Sequence, residues 1–176
     1  MSDVFGDYLL TCPTILFGQK LFRSLAGANH HHHNYAYRVM TPANLTVPKQ
    51  MESMFPKWLG IQHGTDLIFM FDVLFFGMRL NENSEQFELV SRHMIQAWTD
   101  FAKTGQISPV SGVEWTEAFD SSQPESEQQS SLKHFSIDPN DYKMVENYWS
   151  DICNRIWEPI LVEMQTKQTK PTKTEL

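Results

Sequence analysis

The sequence predicts an α-rich α/β chain in which helices outnumber strands. Apolar residues recur at helical intervals over Phe87–Phe101 and again late in the chain, whereas only two short segments suit strands. No internal repeat is present, which sets aside solenoids and propellers. Two short strand candidates do not make a satisfactory sheet, a first hint that something is missing.

Each element has its own signal. Gly6 to Gly27 carries Leu9, Cys12, Leu16 and Phe22 at broadly helical intervals. Proline is tolerated in a first turn, so Pro13 is expected to open this helix and Gly27 to stop it. Asn34–Met40 places Tyr35, Tyr37 and Val39 on one face at period two, a strand. Thr41–Pro56 holds three prolines and is a loop. Gly60 and Gly64 then bracket a turn, and Thr65 or Asp66 is placed to cap a short buried helix. Asn83 with Gln86 suggests a capping box for the longest helix, on which Phe87, Val90, Met94, Trp98 and Phe101 share a face before Gly105 ends it. Ser121–Ser131 reads as a polar loop, and His134–Ile137 as a short strand. A last helix is expected over Tyr142–Met164, with Val145, Trp149, Ile152, Ile156 and Ile160 on one face and Pro159 loosening its late turns. Residues 1–164 thus form the structured segment, and 165–176 a polar tail expected to fray.

Composition narrows the function classes. The 176 residues suit one domain in number, and 41% hydrophobic with 12% aromatic content excludes general disorder. Fourteen Lys and Arg against 21 Asp and Glu give a net charge of −7, which disfavours a nucleic-acid or anionic-membrane binder. The longest apolar run, Leu67–Met78, is broken by Asp72 and too short to span a bilayer, so no transmembrane segment is expected. Met1–Asp7 lacks the basic and apolar regions of a signal peptide. Two cysteines, Cys12 and Cys153, exclude both a disulfide-dense scaffold and a four-cysteine zinc site.

Histidine is the chemically informative residue type. His30–His33 form a run, but no acidic or cysteine ligand stands near it in sequence; it reads as an exposed polar loop, and neither a metal nor a cofactor is expected. His93 falls at the boundary of the amphipathic helix, and His134 is uninformative alone. His63 stands apart. It lies in the turn between two glycines, after a strand and before a helix, where an imidazole can take and return a proton near neutral pH. Spacing alone leaves it open between a structural and a catalytic role.

An ordered set of motifs then points to a family. Gly6-Asp-Tyr8 with Cys12-Pro13, Tyr35-Ala-Tyr37, Trp58-Leu-Gly-Ile-Gln-His-Gly64, Trp98-Thr-Asp-Phe-Ala-Lys-Thr-Gly105 and the late Cys153 occur in that order. Together they resemble the C-terminal third of a type-B carboxylesterase or cholinesterase, from about Gly6 to Leu161. The resemblance implies the C-terminal portion of an α/β-hydrolase fold, with a few edge strands of its central sheet.

In such hydrolases the triad follows the chain order Ser, then Asp or Glu, then His. His63 matches the catalytic histidine, which serves as base toward the serine hydroxyl and as acid toward the leaving alcohol. No Gly-x-Ser-x-Gly elbow occurs in the sequence, and the only acids before His63 are Asp3, Asp7 and Glu52. The serine and its acid are therefore expected before Met1, and the chain by itself is expected to be inactive. The implied substrate is a small carboxylic ester.

Further expectations follow from the same resemblance. Trp58 matches an aromatic lining the cholinesterase gorge, while Thr65 departs from a bulkier tyrosine found there. Cys12 and Cys153 fall where cholinesterases form a long-range disulfide. The helix at 142–164 matches one through which cholinesterase-like proteins dimerise. Asn44-Leu-Thr46 is a glycosylation sequon, and Lys173-Thr-Glu-Leu176 resembles an ER-retention tetrapeptide with its second position changed, so a secreted or ER-lumenal protein is implied. The second reading is a cholinesterase-like adhesion or binding protein whose serine has been replaced. His63 favours the enzyme.

Overall fold

The computed structural model describes residues 2–26, 32–41, 58, 60–71, 85–119, 132–146 and 152–168. The chain divides into two units, one of Met1–His32, Phe119–Leu132 and Glu146–Leu176, the other of His33–Ala118 and Lys133–Val145.

In the first unit the helix begins well before Pro13. It runs through α1 (Ser2–Gly6), a π-helical turn at Asp7–Thr11, and α2 (Cys12–Ala26). A proline inside an α-helix lacks its N–H and collides with the carbonyl four residues back. Here the ladder widens just ahead of it: the Cys12 N–H bonds the Asp7 carbonyl, five residues back. The late helix repeats the device. A π-turn at Cys153–Trp157, with the Glu158 N–H on the Cys153 carbonyl, precedes α5 (Glu158–Gln168) and Pro159. Both prolines are thus accommodated without ending their helices, which is why Pro13 does not mark a start. Cys12 and Cys153 are fully buried and joined by a disulfide, with Ile15 and Trp157 packed against them. Tyr8 adds a ring contact to Trp157 at 5.1 Å.

The second unit holds the sheet. β1 (Tyr37–Val39) pairs in parallel with β2 (Lys133–Ile137), Tyr37 opposite Phe135 and Val39 opposite Ile137. β3 (Lys143–Glu146) completes the order β1-β2-β3. This corrects the helix expected from Tyr142. Asp138 folds the chain back, its carboxylate accepting from the Asn140 N–H at 2.9 Å and its carbonyl from the Asp141 N–H at 3.0 Å. The residues after that turn lie beside β2, and sheet pairing overrides the helical spacing of Val145. The helical portion begins only at Ile152 within the described residues.

Two helices pack on this sheet. α3 (Thr65–Phe71) and α4 (Glu85–Thr104) bury Ile68, Phe69, Phe87, Val90, Met94 and Ala97 against Phe135, Ile137 and Trp115. Each large apolar side chain so buried contributes about 1.5–3 kcal/mol. Tyr35, Tyr37 and Val39 pack against this core, as the period-two pattern requires. Gly105 ends α4 with φ +74°, its N–H on the Phe101 carbonyl. Asn83 lies outside the described residues, and the Gln86 amide donates to Asn140 at 3.0 Å. Gly27, the loop at 121–131 and Trp149 also fall outside them. α5 continues to Gln168, four residues into the stretch expected as a tail.

Candidate functional site

His63 is presented by backbone geometry. Gly60 and Gly64 take φ +68° and +82°, a left-handed conformation open to glycine without strain, so the chain reverses sharply between them. The Thr65 N–H and hydroxyl both donate to the Gln62 carbonyl, at 3.2 and 2.6 Å, and the Leu67 N–H bonds the Gly64 carbonyl at 3.1 Å. These bonds close the turn and launch α3. Thr65 is buried by them, while the His63 side chain stands exposed and has no hydrogen-bond partner among the described residues.

Leu67 and Phe71 are four residues apart on α3 and so share one face of that helix. Leu67 and Phe71 are exposed, the latter by 64%, whereas Ile68 and Phe69 face the core. The site is therefore a solvent-facing histidine in the turn that precedes α3, a helix that also exposes Leu67 and Phe71. Trp58, matched above to a gorge-lining aromatic, is 75% exposed.

The turn is tied to the sheet from beneath. The Tyr37 hydroxyl donates to the Asp66 carboxylate at 2.7 Å, which joins β1 to the first turn of α3. Tyr37 is itself wedged edge-on against Trp98 at 4.6 Å, with Trp115 beyond. Burial first, and then the bond to Asp66, push its phenol well above the ordinary range. At the far end of α3 the Ser91 hydroxyl bonds the Phe69 carbonyl at 2.6 Å. The sequence offers Thr65 or Asp66 as the cap of this helix, and no local signal joins Asp66 to Tyr37, 29 residues away.

Among the described residues, His33, His93 and His134 serve structure. His33 Nδ1 meets Glu117 at 2.6 Å, next to the backbone bond from the Ala118 N–H to Asn34, so the end of the His30–His33 run clasps the approach to β1. Among the described residues no three His, Cys, Asp or Glu side chains group to hold a metal ion. His134 is buried on the central strand, its pKa pushed down to about 4 by burial and then by Arg38. His93 packs edge-on against Tyr142 at 5.2 Å; burial lowers its pKa, with Arg92 adding to the effect. An open cleft of about 540 Å³ runs along α4 past Phe87, Ser91 and Ile95, and neither His63 nor Trp58 lines it. Because it opens widely to solvent, its size alone gives it no claim over the histidine turn. Asn44 and the Lys173–Leu176 tetrapeptide lie outside the described residues. No helix among the described residues is long and apolar enough to cross a membrane.

A strand, a glycine-bracketed turn bearing histidine, and a helix returning onto a small sheet are consistent with part of an α/β-hydrolase fold. Comparison with known proteins agrees. The model of the carboxylesterase family matches residues 1–154, and the chain belongs to that family. Among curated relatives it is 29% identical over 116 residues to acetylcholinesterase-1 of Trittame loki, covering 65% of this chain and 18% of that protein. It is 30% identical over 112 residues to the cholinesterase of Mus musculus, covering 64% of this chain and 16% of the relative. For the acetylcholinesterase of Gallus gallus the figures are 30% over 116 residues, 65% and 13%. The chain thus spans less than a fifth of the length of these relatives.

Proposed function

We propose that this chain is the C-terminal part of a serine carboxylic-ester hydrolase and supplies its catalytic histidine, His63. The observation that carries the reading is the exposed imidazole on its backbone-closed turn before α3, in a chain of the carboxylesterase family. In this reaction the His63 imidazole takes the proton of a serine hydroxyl as that oxygen bonds to the ester carbonyl carbon. It then gives the proton to the departing alcohol, and water repeats the sequence on the acyl-enzyme. Backbone amides stabilise the oxyanion, and an acid partner orients the ring. Asp66 does not take that part in this arrangement: it accepts from Tyr37, and no hydrogen bond joins it to His63.

The serine and acid lie upstream of these residues in this reading, since the sequence holds no Gly-x-Ser-x-Gly and covers less than a fifth of its relatives. The chain alone is accordingly inactive. Its substrate is a small carboxylic ester, with Trp58 part of the pocket wall once the rest of the domain is in place. The buried Cys12–Cys153 disulfide supports a secreted or ER-lumenal protein; Asn44 is its proposed glycosylation site, and Lys173–Leu176 is the proposed retention signal for the lumenal alternative. Homodimerisation is proposed through residues 152–168 of the late helix, where Ile156, Ile160 and Val162 are exposed.

Reading the coding sequence that precedes Met1 tests this function. A Gly-x-Ser-x-Gly elbow supports it. A replaced serine turns the reading to a cholinesterase-like adhesion or binding protein.

A further inference from the structure

We propose that Tyr37 and Asp66 are positioning residues for His63: their hydrogen bond fixes the histidine turn against the sheet. The inference rests on His63 being the general base, and deepens that reading. His63 makes no hydrogen bond of its own among the described residues, so its place is set by the backbone that carries it. That backbone closes on itself through Gln62, Gly64, Thr65 and Leu67, bonds that hold the turn's shape but leave its position on the sheet undetermined.

Position comes from the two ends of α3. At its C-terminal end the Phe69 carbonyl accepts from Ser91 of α4. At its N-terminal end, three residues from His63, Asp66 accepts the Tyr37 hydroxyl at 2.7 Å. Ile68 and Phe69 anchor the body of α3 in the core, and the tie at Asp66 restrains the first turn, which carries the His63 turn with it. Tyr37 suits the task because its ring cannot swing. It sits on β1 opposite Phe135, edge-on against Trp98 at 4.6 Å. The aromatic core thus passes its rigidity through one charge-assisted bond to the turn. General-base catalysis needs the imidazole within hydrogen-bond reach of its partner, so a small displacement of this turn is costly for rate.

Amide hydrogen exchange on the full chain, read by NMR together with the His63 imidazole resonances, tests the proposal. Tyr37→Phe keeps the wedged ring and removes the donor; Asp66→Ala removes the acceptor; Asp66→Asn retains an acceptor oxygen. The first two are expected to speed exchange of the Thr65 and Leu67 amides about tenfold and to move the His63 resonances, with α4 amides such as Val90 changed less than about twofold. Asp66→Asn, which keeps an acceptor oxygen but loses the charge, is expected to fall between the wild type and Asp66→Ala, and the double variant Tyr37→Phe/Asp66→Ala to match either single one. Unchanged exchange at Thr65 and Leu67 would overturn the proposal, as would acceleration spread evenly over α4. No ester turnover enters the measurement. A failure here therefore leaves the hydrolase reading standing, and loss of that reading would leave the exchange result intact.

Discussion

Lowering the pH should destabilise the fold through His134. This residue lies on β2, the central strand, buried on the face that also carries Ser136 and, across the pair, Arg38. Burial and then Arg38 disfavour the imidazolium and bring its pKa down to about 4. In the unfolded chain the ring titrates near its ordinary ~6.5, so between these values the unfolded state binds the extra proton. The sign follows directly. The contribution of neutral His134 is fully present above about pH 6.5 and is lost progressively as pH falls toward about 4. From about pH 7 to about pH 5 the loss is ~2 kcal/mol, out of ~3 kcal/mol over the whole window. With a urea m-value of ~2 kcal/mol per molar, the unfolding midpoint should drop by ~1 M. Urea titrations followed by tryptophan emission at both pH values, on the wild type and on His134→Gln, isolate the term. The variant should lose markedly less than the wild type over the same interval. Equal losses in the two proteins would refute the reasoning.

Two other perturbations have defined outcomes. Reducing the Cys12–Cys153 disulfide frees a loop with a sequence separation of 141 residues. Its removal, as Cys12→Ser/Cys153→Ser, should lower stability by roughly 4–5 kcal/mol on the chain-entropy account, measured as a fall in the denaturation midpoint. Phe135 is fully buried and stacks on Trp115 at 4.6 Å, so Phe135→Ala should cost about 3–5 kcal/mol and shift the tryptophan emission of the folded state.

What the sequence reveals divides along physical lines. Most of α4 is legible: Phe87, Val90 and Met94 recur at the helix period and are buried, and Gly105 stops it in the left-handed conformation that glycine favours, whereas Phe101, expected on the same face, is 42% exposed. Tyr35, Tyr37 and Val39 announce a strand face, and His134–Ile137 a second strand, because alternation and β-branching are local properties. β3 is not legible, since Lys143–Glu146 becomes a strand only by lying beside β2 after the Asp138 turn. The helix start ahead of Pro13 is hidden for another reason. A π-turn removes the clash that makes proline a helix-opening signal, and nothing in the letters marks a π-turn. At the site, the turn glycines and His63 are readable from spacing. The Tyr37–Asp66 bond, made across 29 residues by tertiary packing, is not.

The central claim is that His63 serves as base in an ester hydrolase whose nucleophile lies outside these residues. Hydrolysis of a short-chain aryl ester, measured on the purified chain and on the same chain expressed with its upstream coding sequence, tests it most directly. The account predicts no turnover by the chain alone, and turnover by the extended protein that His63→Ala abolishes. Turnover by the chain alone that disappears in His63→Ala would contradict it, as would full activity of an extended protein carrying His63→Ala.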